Sequence, residues 1–96
     1  MKMFLIAYNE AVDEEVMQTL RANAIEGFTK WTKVLGQGKT SGPHLATHIW
    51  PKANNVLAVC IEDEKVAPLM ECIRCLREDL GKEGVKAFSW QVEEAT

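Results

Sequence analysis

No run of lysines or arginines occurs in this 96-residue chain, and its net charge at pH 7 is −3. A protein that grips nucleic acid by its backbone needs a basic stripe to displace counterions from phosphate, so nucleic acid is not an expected partner. Long apolar stretches are missing as well. A bilayer span takes about 20 consecutive apolar residues, and no segment comes near that length, so no membrane insertion is expected. The apolar run at residues 3–8 meets Asn9-Glu10 at once, which reads as a strand rather than the core of a signal peptide. Cysteine is scarce and odd in number: Cys60, Cys72 and Cys75 have no spacing that suggests a disulfide framework. That pattern fits a reducing compartment and places the protein in the cytoplasm.

What remains is ordinary globular material, 47% apolar and 26% charged, and its length allows a single domain, residues 1–96. Residues 2–8 form a short apolar run, as in a strand buried on both faces. From Val12 the spacing becomes Val12, Val16 and Leu20 with Met17 beside them, behind Asp13, Glu14 and Glu15, where a helix dipole favours acids. A helix ending near Asn23 or Ala24 follows. Gly27 breaks the pattern, and residues 28–35 read as a second strand. Residues 36–55 hold three glycines, two prolines and two histidines without sustained period and read as a loop, with a short extended piece at 45–50. Residues 56–61 are apolar at every position, a third strand, closed by Glu62-Asp63-Glu64. Val66, Leu69, Met70, Ile73, Leu76 and Leu80 then keep helical spacing, with Pro68 shortening or bending the first turn. Alternation over residues 85–93 places Phe88, Trp90 and Val92 on one face of a fourth strand.

The order β-α-β-β-α-β predicts an α+β, ferredoxin-like arrangement with two helices on one face of a four-stranded antiparallel sheet. The helices cover one face only. Yet Phe4, Ile6 and Tyr8 stand opposite Met3, Leu5 and Ala7, and Leu57, Val59 and Ile61 stand opposite Val56, Ala58 and Cys60, so the central strands are apolar on both sides. Another copy of the chain is the simplest cover for the second set, since a domain this small gains core by association.

The segment Gly36-Gln37-Gly38-Lys39-Thr40-Ser41-Gly42 carries the strongest chemical signal. Glycines let backbone amides approach an anion, and a lysine neutralises phosphate. It is not a Walker A loop, which needs four residues between its first glycine and Gly-Lys and must open a helix. Together with Ile25-Glu26-Gly27-Phe28-Thr29, and with residues 63–80 followed by Gly81, Gly84 and Lys86-Ala87-Phe88, this run resembles the nitrogen regulatory P-II superfamily over nearly the whole chain. The resemblance implies a ferredoxin-like fold, a homotrimer, and signal transduction in nitrogen regulation. It also implies a small anionic ligand, an adenine nucleotide such as ATP, ADP or AMP, held in clefts between subunits at the base of a long loop. On that resemblance Thr29, Gly36, Gly38, Lys39 and Gly42 are ligand-binding candidates, Lys86 comes from a neighbouring subunit, and residues 43–55 address a protein partner. No tyrosine lies between Gly42 and Asn54, which excludes nucleotidylylation there.

His44 and His48, at i and i+4, share a face in a strand or a helix and begin an alternative reading. With Cys60 or Cys72-x-x-Cys75 they would complete a zinc or copper(I) site, as in CutA-like proteins of this fold. Cys72 and Cys75 lie mid-helix, where no N-terminal dipole activates a thiol, and are read as small packing residues beside Ile73 and Leu76. Trp31, Trp50 and Trp90 are read as packing and interface anchors. No nucleophile has a placed base and no carboxylate pair lies outside the acidic helix starts, so the protein is not expected to be an enzyme.

Overall fold

A computed structural model describes residues 1–36, 53–80 and 84–96. Its order is β1 (Lys2–Asn9), a 3-10 turn (Glu10–Val12), α1 (Asp13–Ala22), β2 (Thr29–Leu35), β3 (Ala53–Ile61), α2 (Asp63–Asp79) and β4 (Val85–Gln91). The strands pair in the order β2-β3-β1-β4, antiparallel throughout, so each helix connects two strands that have a third between them. This is the ferredoxin-like α+β fold that the element order predicts. No helix among the described residues is long and apolar enough to cross a membrane.

The central pair sets the sheet. Phe4 lies opposite Val59 and Ile6 opposite Leu57, and all four are buried against Val16 and Leu20 of α1 and Leu69 and Ile73 of α2. Alternation sends Met3, Leu5 and Ala7 to the other side, beside Cys60, Ala58 and Val56. Across β4, Trp90 stands opposite Met3 and Phe88 opposite Leu5, while on β2 Trp31 pairs with Val56. Trp31, Phe88 and Trp90 stay 50%, 49% and 48% exposed, so this second face is apolar and open to solvent in the single chain. The expected pairing of Phe88 with Trp90 on one face is met; Val92 lies just past β4, its amide donating to the Met1 carbonyl at 3.2 Å.

Three local details differ from the sequence reading. β3 begins at Ala53, so Asn54 and Asn55 belong to the strand and not to the loop. Asparagine is a poor strand former, but pairing with Asn9 and Tyr8 overrides that preference. Residue Phe28 falls before β2 rather than in it. And α2 runs through Pro68 from Asp63, neither shortened nor broken: at its sixth residue the ring removes one donor, a loss that packing of Leu69 and Ile73 outweighs.

α1 ends in a Schellman turn. The Ile25 amide donates to the Leu20 carbonyl at 3.0 Å, and that of Ala24 to the Arg21 carbonyl at 3.0 Å. Ile25 and Leu20 are both buried, which supplies the hydrophobic contact that accompanies this motif. The turn forces φ 57° on Ala24, a left-handed conformation that a Cβ disfavours by about 1–2 kcal/mol. Ala24→Gly should therefore stabilise the fold by about 0.5–1 kcal/mol, read as a raised urea midpoint at unchanged slope. A lowered midpoint would contradict the strain assigned to this residue.

Candidate functional site

The end of the sheet where β2 stops and β4 starts gathers backbone turns and polar side chains. Val34 lies opposite Asn54, Asn54 opposite Asn9, and the Asn9 amide donates to the Gly84 carbonyl at 2.8 Å, a single row across all four strands. Gly36 follows β2 at this end, with the Asn54 side-chain amide where a β-carbon would stand, so that a side chain at 36 would push that amide aside. Gly84 enters β4 at φ 81°, a conformation that glycine adopts without cost. Lys86 is exposed two residues further on, opposite Ala7, on the open apolar face of the sheet.

Gly36 and Lys86 thus share one end of the sheet but sit at opposite edges, three strand spacings or roughly 14 Å apart. Thr29 lies at the other end of β2, opposite Ala58 and also on the open face, roughly 20 Å along the strand from Gly36. One chain alone does not bring the three together. Gly38, Lys39, Gly42, His44 and His48 lie outside the described residues, as do the 45–50 piece, Trp50 and Gly81. Two grooves among the described residues lie elsewhere. One of about 420 Å³ runs between α1 and the start of β2, lined by Met17, Leu20, Arg21, Ile25 and Phe28 among others, and another of about 200 Å³ reaches Cys60 and Lys65. Neither touches Gly36, Thr29 or Lys86.

A polar hub lies on the helical side of the same sheet. Asp13, first residue of α1, accepts hydrogen bonds from the Tyr8 hydroxyl at 2.5 Å, the Lys30 amine at 2.9 and 3.1 Å and the Asn55 amide at 3.2 Å. One carboxylate so joins β1, α1, β2 and β3. Burial works against its charge, but these hydrogen bonds and the charge of Lys30 outweigh that effect and hold Asp13 below the ordinary carboxylate range. Tyr8 is pushed up, first by burial and then by donating to and facing the Asp13 charge, so it stays a neutral donor. Asn55 is 6% exposed and its Oδ1 has no partner among the described residues. Its amide orientation is fixed all the same, since a flip would turn the carbonyl oxygen toward the carboxylate.

The cysteines are not packing residues. Cys60, Cys72 and Cys75 are all free and exposed: Cys60 is on the open face opposite Met3, and Cys72 and Cys75 lie off the Leu69–Ile73 stripe that α2 buries. Periodicity alone put the two helical thiols beside the core, but they fall on the flank of the helix rather than its inner face. Among the described residues no three histidine, cysteine or acidic side chains cluster as a metal site.

Comparison with solved structures decides the fold family. CPII from Thiomonas intermedia K12, a nitrogen regulatory PII-like protein solved bound to ADP, AMP and bicarbonate, aligns over 99% of this chain and 94% of its own at a TM-score of 0.64 and 18% identity. The chain has the PII-like fold. The apo form of CPII agrees at TM-score 0.68 and 20% identity over 95% of this chain and 89% of that one. A PII-like signalling protein from Thermus thermophilus agrees at 0.66 and 17% over 95% and 85%. No protein-family model and no curated protein matches the sequence. The likeness read from the glycine run and its flanks is met at the level of fold, and within the PII-like fold the end carrying Gly36, Gly84 and Lys86 follows from strand order alone.

Asn9, Asn54 and the Asp13 hub escaped the sequence reading of this chain. Asn54-Asn55 was the available signal, a polar pair facing Asn9 across an antiparallel register, but it abuts a glycine-rich segment and reads as its continuation. Asp13 looked like one helix-dipole acid among three. Its partners lie on three strands, and two of them, Lys30 and Asn55, are beyond the reach of local spacing. Because Asp13 titrates lower in the folded chain, its contribution is present above the ordinary carboxylate pKa and fades as pH falls through the lowered value. Asp13→Asn should cost about 1–2 kcal/mol at pH 7, a range kept small because the side chain is 34% exposed. In urea titrations the deficit should shrink between pH 5 and pH 2; a deficit constant with pH would refute the ionic role.

Proposed function

We propose that the chain is a divergent member of the PII-like superfamily, a non-catalytic regulator that acts in the cytoplasm as a homotrimer. It binds a small anionic ligand, an adenine nucleotide such as ATP, ADP or AMP, in clefts between subunits. Gly36, Gly38, Lys39 and Gly42 form the phosphate side of each cleft, Thr29 lies nearby, and Lys86 enters from the neighbouring copy. Of residues 43–55, the part that precedes β3 relays the ligand state to a protein partner.

One observation carries this reading: Gly36 closes β2 where the Asn54 side chain occupies the space a β-carbon would take, at the sheet end that also holds Gly84 and Lys86. Lysine on the open apolar face, an edge away from the glycine turn, makes a site only when a second chain meets the first. The same face presents Trp31, Phe88 and Trp90, each gaining about 1.5–3 kcal/mol if fully covered. Ligands of matching chemistry are bound in CPII, which shares the fold at 18% identity. The paired histidines His44 and His48 lie outside the described residues and are not needed for this reading.

Calorimetric titration with ATP, ADP, AMP and bicarbonate should show binding of at least one nucleotide, weakened about tenfold or more by Lys39→Ala and by Gly36→Val, a loss equal to one factor-of-ten step of about 1.4 kcal/mol. No binding by any of them, with Lys39→Ala indistinguishable from the parent chain, would exclude the nucleotide role. Light scattering should return three times the chain mass. A stable monomer at micromolar concentration would remove the intersubunit cleft itself.

A further inference from the structure

Free cysteine is among the most buried residue types, yet α2 exposes two of them one turn apart. Cys72 and Cys75 stand at i and i+3, so their β-carbons are neighbours at about 5–6 Å. A disulfide needs about 3.5–4.5 Å between β-carbons, which a continuous helix does not offer in its middle, and α2 is continuous from Asp63 to Asp79. Two sulfurs that each bond one metal ion at about 2.3 Å reach across the wider gap instead. The Asn23 side-chain amide already donates to the Cys72 sulfur at 3.6 Å, a hydrogen bond that strengthens when the sulfur becomes a thiolate.

We propose that Cys72 and Cys75 form a two-coordinate site for a soft monovalent d10 cation, copper(I), on the exposed surface of α2 beside the end of α1. Thiolates select such ions over harder ones. Zinc is disfavoured because its closed sites take four ligands, and no third histidine, cysteine or acidic side chain clusters with the pair among the described residues. Binding exchanges two S–H protons for two Cu–S bonds: two thiols and one Cu⁺ give a bis-thiolate complex of charge −1 and release two protons, with no change of oxidation state. The site is independent of the nucleotide cleft. The helices cover the sheet face opposite to the one that carries Trp31, Phe88 and Trp90, so copies packing on that open face leave Cys72 and Cys75 in solvent while enclosing Cys60.

The test is anaerobic titration of the fully reduced protein with copper(I) against a chromophoric copper(I) chelator. The parent chain and Cys60→Ser should each withdraw one equivalent of copper per chain and show a thiolate-to-copper charge-transfer band. Cys72→Ser and Cys75→Ser should each lose that equivalent, with far-ultraviolet circular dichroism unchanged to show that α2 is intact. No copper withdrawn by the parent chain would overturn the proposal, as would equal binding in either single serine variant or a loss in Cys60→Ser matching theirs. Should either serine variant unfold, alkylation of the two helical thiols in the folded parent chain provides the same comparison, and retention of the copper equivalent after their alkylation would likewise refute it.

Discussion

Two adjacent strands, β1 and β3, are apolar on both of their faces, and most of the architecture follows from how that surface is taken out of water. Helices on one side cover Phe4, Ile6, Leu57 and Val59 completely. The pair occupies the centre of the sheet because a doubly apolar strand at an edge would expose its flank as well as its faces. With β1 and β3 fixed in the middle, β2 and β4 have only the two edges left, and each connection must cross one central strand by way of a helix. The helical face is thereby used up. Met3, Leu5 and Ala7, with the aromatic residues of the edge strands, are left as a surface whose burial no part of the described chain provides.

Much of this was legible in the sequence. The apolar runs, the acidic helix starts and the 3.6-residue spacing of α2 give the elements in order, and the element order gives the topology because handedness and short connections leave few alternatives. Pairing was less legible. Asn54 and Asn55 join β3 because Asn9 and Tyr8 are there to receive them, a long-range fact that local propensity opposes. The exposed cysteines mark a different limit: helical periodicity separates the inner from the outer face well, but at the flank a small apolar residue reads equally as either.

The sheet end that carries the candidate site was legible in part. The glycine run pointed to an anion and the strand order put Gly36, Gly84 and Lys86 at one end. The hub at Asp13 was hidden because its four-element reach has no sequence signature, although it bears on the same region: Lys30 belongs to the strand that leads into Gly36, and Asn55 neighbours the Asn54 that crowds it. A single carboxylate on the helical side therefore ties together the strands whose ends frame the candidate site.

The two edges of the sheet are not equivalent. β2 takes an extra residue between Trp31 and Val34, with Lys33 at φ 59° and its amine held 3.1 Å from Glu10, whereas β4 pairs with β1 in unbroken register. A bulge with a charged residue turned outward interrupts the row of amides and carbonyls that an incoming strand would need. Strand-by-strand growth from that edge is thus blocked, while the aromatic face of the sheet stays open to solvent in the single chain.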